Sequence, residues 1–203
     1  MGDMRDVVKK GYNKGDYAGK YARKSLDIDN FEKAMIEELL KSISQNSLVL
    51  DLGCGVGLPY DGYIVKKGFE VKGIDISEKH IELAKKNVPQ ADYSVNDFFT
   101  EFKEKFDAII SFYAIFHIPR DEHLKLFKKI HSDLKENGYI LLTLGLEDMK
   151  NDVNPDFAGA KMMWSSYDGN KNKELIEKAG FKILLSAEDK REENHLFILA
   201  RKI

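Results

Sequence analysis

The sequence predicts an α/β protein, a mostly parallel sheet with helices on both faces. Three observations carry that expectation. From Val49 onward, short apolar β-rich runs alternate with amphipathic helical stretches. The first run passes through a turn holding Gly53, Gly55 and Gly57 into a helix. The last two runs are separated only by the charged stretch 188–194, too short for a parallel crossover, so they form an antiparallel hairpin.

The elements follow in order. Residues 47–52 form a buried strand, and 60–67 form a helix closed by Gly68. Residues 69–74 form a second strand ending on Asp75. Ser77 then caps a helix through Asn87, with Pro89 beyond its end. A short third strand spans 91–95. The fourth, 106–112, is nearly continuous in apolar residues, as a strand covered on both faces requires. Leu124, Phe127, Ile130, His131 and Leu134 recur at helical spacing along 121–134. Asn137-Gly138 is a turn into a fifth strand, 139–144. A helix over 171–179 with a Gly180 cap precedes the terminal strands 181–187 and 195–200. Two regions fall outside the alternation. Residues 1–46 read as helical, with a stripe through Phe31, Ala34, Met35, Leu39 and Leu40, and 146–169 read as an irregular insertion. With no repeat or low-complexity linker, the 203 residues are expected to form one domain. Its parts are a cap (1–46), a cofactor-binding half (47–145), an insertion (146–169) and a closing helix and hairpin (170–203).

Composition narrows the function. The 32 basic and 34 acidic side chains give a net charge of -2, without the basic excess that duplex nucleic-acid binders carry. The one cysteine, Cys54, allows neither an intrachain disulfide nor a cysteine metal cluster, so no metal is expected. No apolar run approaches the ~18 residues of a membrane span, and the first residues are too polar for a signal peptide. The expectation is a cytoplasmic monomer or homodimer, without nucleic-acid or membrane partners.

The glycine register decides the cofactor. A dinucleotide fingerprint, G-x-G-x-x-G, started from Gly53 needs glycine at 58, where Leu58 stands. Started from Gly55, it needs glycine at 60, where Tyr60 stands. The pattern present is Asp51-x-Gly53-Cys54-Gly55-x-Gly57, which resembles the first motif of the Rossmann-like (class I) S-adenosylmethionine-dependent methyltransferases. That resemblance implies a seven-stranded sheet of order 3-2-1-4-5-7-6 with strand 7 antiparallel. It implies S-adenosyl-L-methionine as cofactor and S-adenosyl-L-homocysteine as product. Asp75, with Ile76 beside it, matches the acid that holds both ribose hydroxyls, as one carboxylate accepting from two vicinal donors can. Asn96-Asp97-Phe98 matches the segment that reads adenine, and Phe112 stands where a backbone carbonyl takes the donor's amino group. Tyr12, Tyr17 and Tyr21 lie in a segment resembling the N-terminal cap of small-molecule members, with Tyr21 assigned to the donor's carboxylate.

Methyl transfer from a sulfonium is a direct displacement, so in-line positioning and exclusion of water suffice, and a base is needed only where the acceptor must lose a proton. His117, on the rim after the fourth strand with Tyr113 and Phe116, is the candidate base. His131 and His195 read as structural, and His80 and His123 as exposed. Met163, Trp164 and Tyr167, in the irregular insertion, are the expected acceptor wall. Ser111-Phe112-Tyr113-Ala114 is not the Asp/Asn-Pro-Pro-Tyr/Phe motif of adenine or glutamine methylation, and Cys54 is committed to the glycine loop. A small-molecule N, O or S acceptor is therefore expected. The alternatives are a nicotinamide-dependent oxidoreductase on a related fold and a non-catalytic S-adenosylmethionine-binding protein.

Overall fold

The computed structural model describes residues 3–17, 28–190 and 194–203. Its main sheet is built outward from β1 (Leu48–Leu52), which pairs in parallel with β2 (Glu70–Asp75) on one side and β4 (Phe106–Ser111) on the other. β3 (Asp92–Val95) extends it beyond β2, and β5 (Leu134–Gly145) beyond β4. The terminal strands β8 (Phe181–Asp189) and β9 (His195–Lys202) complete the order β3-β2-β1-β4-β5-β9-β8, with β9 antiparallel to both neighbours. This is the seven-stranded order that the family resemblance implies.

Two cores explain why the central strands are apolar throughout. Leu50, Leu52, Ile74 and Ile109 face α5 (His123–Asp133) and α6 (Gly169–Lys178), through Leu126, Phe127, Ile130, Leu175 and Ile176. Val49, Val71, Ala108 and Ile110 face α2 (Asn30–Ser42) and α3 (Tyr60–Lys66), through Met35, Ile36, Leu39 and Ile64. Successive β residues point to opposite faces, so covering both faces demands the unbroken apolar runs read from the sequence. α4 (Glu78–Asn87) closes the β3 edge, its first turn capped by the Ser77 hydroxyl, which accepts from His80 N at 3.2 Å. Two short 3₁₀ turns, Ile115–His117 and Arg120–Glu122, lead from β4 into α5.

Two expectations are corrected. Residues 146–169 are not an irregular loop. They hold a hairpin of β6 (Met149–Phe157) and β7 (Ala160–Ser166), turned at Ala158 and Gly159, which both have positive φ. Paired positive φ is the geometry of a two-residue hairpin turn whose twist matches its strands. β6 is exposed along nearly its whole length, so it lacks the apolar alternation by which a strand is recognised. β7 packs Met162 and Met163 against Met4, Val8 and Tyr12 of α1 (Met4–Lys14). β5 also begins five residues earlier than expected. It absorbs the Asn137 turn (φ 61°) as an irregularity in its pairing with β4.

Candidate functional site

Parallel strands place the loops after their carboxyl ends on one edge of the sheet, where open α/β sheets bind ligands. Here that edge holds a cavity of about 700 Å³, walled by the loops after β1, β2, β3 and β4, by α1 and by the start of α2.

The glycine loop forms one wall. Gly53 has φ 83°, and a Cβ on it would lie 2.5 Å from the Cβ of Ala114, at the end of β4. Glycine is thus required twice over, by conformation and by space. Gly53 N and Cys54 N both donate to Ile74 O, at 2.8 and 3.0 Å, which fastens the loop to the end of β2. Gly55 N donates to Asp75 Oδ2 at 3.0 Å, and Ser77 N donates to Asp75 Oδ1 at 2.8 Å. Asp75 therefore sets the shape of the loop as well as lining the cavity. Ile76, Asn96, Asp97 and Phe98 continue that wall. The Asp97 carboxylate accepts from Phe99 N at 2.7 Å and lies 3.3 Å from Arg5 Nε, while Arg5 also pairs with Glu122 and sits over the Phe99 ring. α1 is thereby tied across the loop after β3.

Phe112 stacks on Tyr60 at 4.0 Å between ring centres. Tyr113 holds φ 54°, an uncommon conformation for a bulky side chain and one concentrated at functional sites. Its hydroxyl donates to Glu32 Oε1 at 2.5 Å, and its ring meets His195 edge to face. Asp29, Glu32, Asp189 and His195 also line the cavity. None of these four was legible as a site residue, because α2 and the terminal hairpin reach this edge only through the fold.

His117 is buried with Nδ1 2.9 Å from Met163 O and Nε2 2.6 Å from the Tyr12 hydroxyl. A carbonyl can only accept, so Nδ1 carries the hydrogen and Nε2 accepts from Tyr12. Burial lowers the His117 pKa to about 4, so the ring is neutral at physiological pH. Tyr12, His117 and Tyr17 all line the cavity. The fold joins the first two across 105 positions of sequence.

A second polar cluster lies beneath the glycine loop. Asp51, at the end of β1, is buried and lines the cavity. Its carboxyl lies within hydrogen-bond reach of that of Asp61, in the first turn of α3. Tyr93 OH donates to Asp61 Oδ2 at 2.8 Å. Burial pushes Asp51 well above the usual carboxylate range and Asp61 up to about 6.

Some expected site residues fall elsewhere. Gly57 faces away from the cavity, where a Cβ would lie 2.6 Å from the Tyr93 hydroxyl, so it is a packing glycine. Phe116 is buried against His117 and His195, outside the lining. Met163 and Trp164 pack behind His117 and α1, and Tyr167 packs on Arg120 and His123. The three residues expected as an acceptor wall thus support the wall from outside, because β7 turns its buried face toward α1. His80 and His123 are buried, not exposed, at 3% and 1% of their surface. His80 Nδ1 sits 3.4 Å from Asp75 Oδ1. Tyr21 lies outside the described residues.

Residues 26–186 match the model of a family described as methyltransferase domain. A ribosomal protein L11 methyltransferase of Dictyoglomus turgidum is 33% identical over 124 residues, covering 58% of this chain and 39% of that protein. A phosphoethanolamine N-methyltransferase of Plasmodium falciparum is 36% identical over 106 residues, covering 50% and 40%. The chain thus spans about two-fifths of the length of these curated relatives. In fold it is similar to the magnesium protoporphyrin IX methyltransferase of Synechocystis PCC 6803, solved with bound SAM. The TM-score is 0.78 at 16% identity, covering 100% of this chain and 99% of that one.

Proposed function

Since the chain belongs to the methyltransferase-domain family, we propose that it transfers a methyl group from S-adenosylmethionine to a small-molecule N, O or S acceptor by direct in-line displacement. The observation that carries this reading is the shared cavity. It sets the glycine loop, Asp75 and Asp97 across from the Tyr12–His117 pair, in a volume within the range of about 300–1,000 Å³ of small-molecule sites. The residues fit the donor. The Asp75 carboxylate is oriented by two backbone N–H groups. Phe98 presents an apolar ring to the cavity beside Gly53. When bound, the donor supplies an electrophilic methyl on a sulfonium. The family match and the glycine register together favour this chemistry over hydride transfer.

The protein's part is positioning and one proton. The acceptor's lone pair bonds to the methyl carbon while the carbon–sulfur pair passes to sulfur, and an N–H, O–H or S–H acceptor then sheds its proton. Tyr12 offers its oxygen lone pair toward the cavity while its hydrogen is held by His117 Nε2. It can accept a hydrogen bond from the acceptor and relay the proton to a ring that burial keeps neutral. A base this weak holds the proton only transiently, so orientation of the acceptor is the larger part of its role.

The test is a set of donor-binding and turnover assays with small amines, alcohols and thiols, alongside ribosomal protein and RNA substrates. Small-molecule turnover is expected, with Tyr12→Phe lowering kcat by about 10²-fold while donor affinity changes little. Turnover confined to the macromolecules would overturn the acceptor class. A Tyr12→Phe loss appearing only in donor affinity would overturn the role of the pair. At saturating donor, kcat should stay flat from pH 7 to 5, because His117 is already neutral throughout that range.

A further inference from the structure

We propose that Asp61 is a positioning residue for the donor: with Tyr93 it holds one proton between its own carboxyl and that of Asp51, so the charge Asp51 presents to the cavity follows the charge of the ligand. The inference rests on the donor assignment above. Asp51 is 2% exposed and lines the cavity, while Asp61 is fully buried one layer behind it. Tyr93 donates to Asp61 Oδ2, but Oδ1 of Asp61 and Oδ1 of Asp51 have no hydrogen-bond donor among the described residues.

Two ionised carboxylates in contact, with no cation to offset them, are unfavourable in a buried site. A proton between them removes one charge and satisfies both orphan oxygens, one as donor and one as acceptor. The surrounding groups reinforce this. Asp75 from β2, the Cys54 thiol from the loop and Tyr93 from β3 face the pair, with Tyr60 of α3 near Asp51, and none is cationic. His80, from α4, stands against Asp75. Packing fixes the arrangement, since a Cβ on Gly73 would lie 2.5 Å from the Tyr93 ring and one on Gly57 2.6 Å from its hydroxyl.

A sulfonium entering the cavity that Asp51 lines would favour the ionised pair through its positive charge, and one proton would leave for bulk water. A neutral thioether lacks that charge, so the proton stays or returns. Asp61 would thereby couple proton release to discrimination between donor and product.

Calorimetric titration with S-adenosylmethionine and S-adenosylhomocysteine, at pH 6 to 8 in two buffers of different ionisation enthalpy, counts the linked protons. The wild-type protein should release close to one proton with the sulfonium and clearly less with the thioether. Sulfonium affinity should fall by up to about tenfold per pH unit below the pair's apparent pKa. Asp61→Asn should abolish both the extra proton and the slope. Tyr93→Phe removes a hydrogen bond that favours ionisation, and should move the profile to higher pH. Equal proton counts for the two ligands overturn the proposal, as does a wild-type count in Asp61→Asn. If Asp61→Asn does not fold, the Tyr93→Phe shift decides. Failure of both ligands to bind would overturn the donor assignment, a result distinct from binding without proton release.

Discussion

Gly53 and Gly55 both hold positive φ, at 83° and 54°, yet they are glycines for different reasons. A Cβ on Gly53 would collide with Ala114, whereas one on Gly55 would meet nothing within 4 Å. Gly53→Ala should therefore destabilise the fold by about 1–3 kcal/mol, through conformational strain plus displacement of the β4 end. Gly55→Ala should cost only about 1 kcal/mol, from its left-handed conformation. Both should weaken S-adenosylmethionine binding. Urea denaturation read beside donor titration separates them, and equal stability losses would show that the Ala114 contact is relieved at little cost. The need for glycine in the loop was legible from register alone. Which glycine faces the cavity and which faces a tyrosine was not, because Tyr93 and Ala114 arrive from segments far along the chain.

At the scale of elements, α1 is held mainly by the β6–β7 hairpin. Its apolar residues Met4, Val8 and Tyr12 rest on Met162 and Met163, and Gly11 is so close that a Cβ would lie 2.8 Å from Lys161 O. The remaining ties include half-exposed ion pairs, Lys9–Glu78 and Arg5–Asp97, which contribute little individually. Met162→Ala should cost about 2–5 kcal/mol in the contacts beneath α1. Hydrogen exchange should then accelerate at α1 amides well beyond any change in β4. Equal acceleration in both would show that α1 does not open as a separate unit. The helix of α1 was legible in the sequence. Its partner was not, since β6 is exposed along nearly its whole length and carries no apolar period, and β7 becomes a buried strand only once α1 covers it.

Over the whole molecule, buried titratable groups pull stability in opposite directions with pH. His117 and His123 are lowered to about 4 from an ordinary 6.5 by burial. The unfolded chain binds more protons between those values, so their contribution is complete above pH 6.5 and is lost as pH falls toward 4. Asp61, raised to about 6, acts the other way over nearly the same window, as does Asp51. The net curve is therefore shallow, and single variants reveal its parts. His123→Leu, remote from the cavity lining, should lose about 3 kcal/mol less stability than wild type between pH 7 and 4, and Asp61→Asn should lose more. Parallel curves for His123→Leu and wild type would mean that folded His123 takes up its proton as readily as in the unfolded chain. His123 reads as exposed on its helix, and it is buried because Tyr167, from the segment after β7, closes over it.

The sequence by itself determined the strand–helix alternation, the terminal hairpin, the glycine loop, and the positions of Asp75, Asp97 and His117 along it, while the strand order came from the family resemblance. Periodicity, strand-to-helix register and turn chemistry are properties of neighbours along the chain. Only the tertiary structure decided that Tyr12 meets His117, that Asp61 and Tyr93 stand behind Asp51, and that Trp164 lies outside the cavity. Those facts depend on which buried face each distant segment finds. A segment with little apolar pattern of its own, such as β6, takes its structure from the partner that its neighbours fix in place.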